Sequence, residues 1–213
     1  MIRTLNDLST ELASALAWRK KELSALYFAV SRSRAHEAAA LRRASVPILY
    51  AHWEGFVKQA ASFYLELVAR KKLTYRQLRT NFVAIACRQA LRDVAASDKI
   101  EIHGQLVDFL ILNQDERARI PFDRVVDTKS NLNSSVLRNI IFTIGVPYST
   151  IWTTKEPLID GGLLKMRNDI AHGKKFEVDH DSFEQLYRLI IDGLLDQIKD
   201  TIENAAATEI YLR

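Results

Sequence analysis

The chain has 213 residues, 48% hydrophobic and 26% charged, with seven Gly, four Pro and a single Cys87, a composition that excludes wholesale disorder, an intramolecular disulfide framework and a cysteine-rich zinc site. Its length suits one sizeable core and no polar linker interrupts it, so a single domain over residues 1–213 is expected. The net charge of +4 is uneven: residues 1–100 carry 17 Lys/Arg against 8 Asp/Glu, and the remainder 13 against 18. The N-terminus has no apolar leader and no stretch approaches the ~20 apolar residues of a membrane span, so a cytoplasmic location with no membrane partner is expected.

In chain order, Leu5, Leu8, Leu12, Leu16, Leu23, Leu26, Phe28 and Val30 recur at helical spacing and predict a first helix over 5–31. A second helical stretch runs over 35–72, with a kink or break expected before Pro47 and Ser45 able to cap a fresh start. Thr74 is placed to cap a third helix over 75–96, and Ser97-Asp98 to start another reaching about Asn113. Residues 114–129 read as a loop, with Val125-Val126 as a possible extended piece. Asn131–Ser135 is capping chemistry for an apolar stripe from Val136 to Ile144, which Gly145 and Pro147 stop. Ser149–Thr154 favours a loop or short strand, Ile159–His172 a helix ended by Gly173, and Asp181 or Ser182 the cap of a long closing helix.

The richest segment is Leu163-Leu164-Lys165-Met166-Arg167-Asn168-Asp169-Ile170-Ala171-His172-Gly173. Asn168 and His172 are four apart and share a face, whereas Arg167 lies five before His172 and is rotated from it by about 140°. Such a set can cleave RNA without a metal. A histidine exchanges protons near neutral pH, and a planar guanidinium stabilises charge building on a phosphoryl group as its 2′-hydroxyl neighbour attacks. The plain alternative is that cations followed by Gly are simply how helices end.

The stretch Arg167-Asn168-Asp169-Ile170-Ala171-His172 resembles the R-x4-H motif of the HEPN superfamily, including the polar residue after the arginine. Tyr50-Ala51-His52-Trp53-Glu54-Gly55-Phe56-Val57-Lys58 is similar to the HWEGF helix of a bacterial HEPN branch found in defence and conflict loci, and Asn131-Leu132-Asn133 through Gly145 follows that branch as well. The resemblance covers roughly residues 35–205. It implies an all-α, HEPN-like bundle of about five to seven helices with a long closing C-terminal helix. It further implies a homodimer whose two Arg167 and His172 pairs face one cleft, with Asn168 beside them and RNA as the partner. The products would be 2′,3′-cyclic phosphate and 5′-hydroxyl ends, and the setting a toxin or antiphage effector with a cognate antitoxin or defence-system partner. One departure stands out: where nucleotidyltransferase-silenced HEPN toxins carry a tyrosine two residues after the histidine, this chain has Lys174, which argues against silencing by adenylylation there.

Lys174, Lys175, Arg42 and Arg43 are candidate RNA-backbone contacts, against the ordinary reading of solvated surface. His52, Trp53, Glu54 and Lys58 are expected to support the site from the core rather than react, and Gly55 to allow a close helix approach. His36, His52, His103, His172 and His180 include no i, i+4 pair, and no phosphate-binding glycine loop is present, so neither a metal nor a cofactor is expected. The alternatives to a nuclease are a non-catalytic HEPN module binding RNA, a nucleotide or a protein, and a purely structural helical dimerisation domain or antitoxin.

Overall fold

The computed structural model describes all 213 residues, and its secondary structure is helical apart from two isolated bridges. Helix α1 (Leu5–Arg32) opens with a capping box in which Thr4 Oγ1 accepts from the Asp7 amide while Asp7 accepts from the Thr4 amide. It lies antiparallel along α2 (Ala35–Arg70), the central helix, whose Leu49, Trp53, Phe56, Val57, Ala60, Tyr64 and Leu65 are all essentially fully buried. One contiguous apolar cluster of 49 buried residues runs from Ile2 to Tyr211.

The break expected near Pro47 is absent: α2 continues unbroken through it. Proline removes one N–H, but Val46 and Leu49 on either side are buried in the core, and that packing holds the helix together. Ser45 is not a cap; it is buried and its hydroxyl donates to the Leu41 carbonyl at 2.6 Å.

The single helix expected over 75–96 is three pieces: a 3₁₀ turn Tyr75–Gln77, α3 (Thr80–Ala86) and α4 (Arg88–Ala95). The cause lies far away in sequence. Leu78 is extended and bridges Leu212, with the Arg79 amide donating to Tyr211 O and the Arg213 amide to Gln77 O. A second bridge joins Thr74 to Arg117. Helix α5 (Ile100–Leu112) packs on α4 and buries none of its residues fully.

Asn133 caps α6 (Ser134–Thr143) by accepting from the Val136 amide, and Gly145 ends it at φ 74°, where a β-carbon would sit 2.9 Å from Asn81 Nδ2. Ser149–Thr154 does not form a strand; it contains the helical turn α7 (Thr150–Thr153), which places Trp152 against Trp53 with ring centroids 6.4 Å apart. A π-wound segment, Leu158–Leu164, leads into α8 (Lys165–Ala171). The closing helix is capped earlier than expected, by Asp179 rather than Asp181 or Ser182, with Asp179 Oδ1 accepting from the Ser182 amide. It runs as α9 (His180–Arg188), a π-wound Leu189–Leu194 and α10 (Leu195–Ala207), packed on α1 and α2. No helix is long and apolar enough to cross a membrane.

Candidate active site

The motif helix α8 docks on α2 through Met166 and Ile170, with Leu163 and Leu164 buried just before it. This seats Arg167 over Tyr50 of α2, its guanidinium carbon 4.6 Å from the ring centroid. Arg167 Nη1 donates to Asn168 Oδ1 at 2.7 Å and Nη2 to the Ser130 carbonyl at 3.3 Å. Asn168 in turn donates from Nδ2 towards Asn131 Oδ1 at 3.5 Å, so the polar neighbour in the motif links the arginine to the 128–133 loop.

That loop is held from several directions. Buried Thr128 donates to Glu54 Oε1, and the Leu132 amide donates to the Tyr50 hydroxyl. Lys129 and Ser130 both adopt left-handed backbone conformations, φ 58° and 51°, which for non-glycine residues cost energy that the surrounding bonds must offset. Burial, reinforced by the Glu54 carboxylate, pushes the Tyr50 hydroxyl up to about 12. Tyr50 is therefore a neutral platform beneath Arg167 at any working pH.

His172 is the C-cap of α8, its amide donating to Asn168 O at 2.9 Å, and its imidazole is exposed to solvent. Gly173 at φ 73° ends the helix, and the Lys174 amide closes the turn onto Asp169 O at 3.0 Å. The Lys174 ammonium pairs with Asp169 Oδ1 at 2.6 Å, and this bond is the main reason the Asp169 carboxyl lies below its ordinary range. Lys175 is exposed.

Arg42 and Arg43 of α2 are engaged with backbone. Arg42 Nε donates to Val178 O at 2.7 Å and Arg43 Nη2 to Lys174 O at 2.9 Å, pinning the 174–178 segment that follows the motif. Of the four supporting residues read from the sequence, Glu54 joins the Arg167 network through Thr128, and Trp53 is core against Trp152. Lys58 is exposed. His52 lies on a different face of α2, buried against α1, with Nε2 3.3 Å from Glu22 and its ring 5.2 Å from Trp18.

Two participants escaped sequence reasoning: Tyr50, the ring under Arg167, and the Ser130 carbonyl. Tyr50 precedes Glu54 by one helical turn, which places both over the same loop, and that spacing was the available signal.

Residues 8–211 match the profile of the family described as HEPN_MAE_28990-like HEPN. The match takes in most of α1, which the motif-level resemblance over 35–205 left out. No curated protein and no solved structure matches the chain. With nearly its whole length covered, the chain belongs to the MAE_28990-like HEPN family.

Proposed function

We propose that the protein is a metal-independent endoribonuclease acting as a homodimer, with Arg167 and His172 as its catalytic residues and Asn168 positioning the arginine. The observation that carries this reading is the asymmetry within the motif. Arg167 is fixed by Asn168, Ser130 and Tyr50, while five residues on an exposed imidazole stands at the helix end. A pre-set cation and an accessible proton carrier are what phosphodiester transesterification needs.

In the proposed reaction the His172 imidazole of one subunit takes the 2′-hydroxyl proton as the 2′-oxygen attacks phosphorus. The bond from phosphorus to the 5′-oxygen breaks, and the imidazolium of the other subunit's His172 gives its proton to that leaving oxygen. The products are a 2′,3′-cyclic phosphate and a 5′-hydroxyl, with all electron pairs remaining on oxygen. Arg167 stabilises the extra charge on the non-bridging oxygens. An isologous interface around the α8 end brings both histidines to one cleft. The cellular reading that goes with this is a toxin or antiphage effector in the cytoplasm, restrained by a cognate antitoxin or defence-system partner.

The test is incubation of wild type, Arg167→Ala and His172→Ala with a labelled structured RNA in EDTA, resolving fragments and end groups. Cleavage by wild type alone, leaving cyclic phosphate ends, supports the reading. No cleavage, or equal cleavage by all three, refutes it and favours a non-catalytic RNA-binding module.

A further inference from the structure

A large cleft lies at the opposite end of α2 from the motif contacts. Tyr50 and Arg70 are twenty residues apart on one helix, which separates the two places by about 30 Å. The cleft encloses about 830 Å³ between the C-terminal turn of α2, the 3₁₀ turn, the end of α5 and the 116–122 segment. That is ample for a ligand of mononucleotide size, since small-molecule sites span roughly 300–1,000 Å³.

Its walls are aromatic, and its charged lining residues are Arg70, which pairs with Glu66 at 2.7 Å, Arg117, Arg119 and one carboxylate, Glu116. Tyr75 and Phe109 meet edge to face with centroids 5.1 Å apart, and the Arg70 guanidinium sits 5.4 Å from the Phe122 centroid. Both phenylalanines are only half-buried, so apolar ring surface faces the opening. The 117–120 segment explains the charge. It bridges Thr74 in antiparallel register, and the Ala118 amide donates to Leu73 O at 2.8 Å. Extended backbone alternates its side chains, so Ala118 and Ile120 are buried and Arg117 and Arg119 are exposed together. Asp115, the acid nearest in sequence to these cations apart from Glu116, is already bound by Arg76 through two bonds of 2.7 and 3.0 Å. Arg117 and Arg119 form no ion pair of their own.

We infer that this cleft is a nucleotide-binding site, in which the base lies against Phe109 and Phe122 and the phosphate is taken by Arg117 and Arg119. Asn113 at the cleft wall offers one donor and one acceptor to the polar edge of the base. Flat rings favour a base over an aliphatic or acidic-peptide ligand, and paired guanidinium groups favour a phosphate. The site stands independently of the nuclease reading, because it shares no residue with the motif network.

The test is calorimetric titration of the full chain with AMP, adenosine and inorganic phosphate, for wild type and the double variant Arg117→Ala/Arg119→Ala. Both arginines are exposed, and an unchanged melting curve verifies that the variant is folded. AMP is expected to bind wild type at least tenfold more tightly than adenosine or phosphate alone, and at least tenfold more weakly in the variant. Absence of AMP binding, binding unaffected by the double substitution, or phosphate binding as tightly as AMP would each overturn the assignment. Competition by a single-stranded 2′-O-methyl RNA, which has no 2′-hydroxyl to attack, assigns the nucleotide to an RNA strand; its absence assigns a free nucleotide.

Discussion

Arginines that look alike in the sequence divide into two kinds at the two ends of α2. Near the motif, Arg42, Arg43 and Arg167 all donate to fixed oxygens: Val178 O, Lys174 O, and Asn168 with Ser130. At the far end Arg117 and Arg119 stand exposed and unpaired beside aromatic surface. What separates the two groups is engagement: Arg42 and Arg43 each give a donor to the backbone that follows the motif, whereas Arg117 and Arg119 have no protein acceptor. The first group organises a site, and within it only Arg167 is set where charge is expected to develop.

The comparison is broken most forcefully at the motif itself. Arg167→Ala is expected to lower kcat by about 10²–10³ and His172→Ala by about 10²–10⁴, as for loss of an oxyanion stabiliser or a general acid-base group. Dimers formed by exchange of wild-type and His172→Ala subunits separate the models of assembly. If one histidine takes the proton and the other gives it, activity falls as the square of the wild-type fraction. A linear fall means that a single histidine serves each cleavage, and the two-histidine reaction is wrong.

A smaller effect is expected from the platform. Tyr50→Leu removes the ring beneath Arg167 and the acceptor for the Leu132 amide, and should reduce kcat roughly 3–30-fold with little change in KM. Tyr50→Phe keeps the ring and should recover most of that activity while remaining less stable, since a buried N–H loses its partner. Equal activity loss in both variants would show that the hydroxyl, not the ring, positions Arg167.

Arg42→Ala and Arg43→Ala sharpen the contrast between organising and binding arginines. Each removes a charged hydrogen bond to the 174–178 segment and should lower Tm by about 3–8 °C, from roughly 1.5–3 kcal/mol per bond. RNA affinity of the folded fraction, and the salt dependence of binding, should stay near wild type. A salt slope reduced by about one would return these residues to the role of phosphate contacts.

What was legible in the sequence follows from how local its cause is. Asn133 as a cap, Gly145 and Gly173 as helix ends, and the α1 stripe at Leu8, Leu12, Leu16, Leu23 and Val30 all act within a turn or two and lie where periodicity and capping chemistry put them, whereas Leu5 and Phe28, counted in that stripe, are exposed. The region over 73–96 was misread because its shape is set by the Leu78–Leu212 and Thr74–Arg117 pairings, which no local window contains. Pro47 shows the opposite error, a strong local rule overridden by burial on both sides. At the candidate site the motif residues could be named, but Tyr50 and Ser130 become partners of Arg167 only once α8 and the 128–133 loop meet on α2.

The smallest expected effect concerns His52, which the sequence placed in support of the site and the structure places in the α1–α2 seam. Burial is the main force holding its imidazole below the ordinary 6.5, Arg19 acts the same way, and the Glu22 carboxylate at 3.3 Å opposes both. With a depressed pKa in the folded state, its contribution to stability is complete above the unfolded value near 6.5. It is lost as pH falls towards the folded one, because the unfolded chain binds the proton first. One proton changes stability by at most about 1.4 kcal/mol per pH unit, or roughly 3–5 °C in Tm. Between pH 7 and pH 5 the wild-type Tm should therefore fall more steeply than that of His52→Phe, which keeps a ring against Trp18 and cannot be protonated. Glu22→Gln removes the one opposing charge, lowers the folded pKa further and should extend the wild-type decline to lower pH. Parallel Tm profiles for wild type and His52→Phe would mean that His52 takes up its proton equally in both states, and that acid sensitivity resides elsewhere than in this seam.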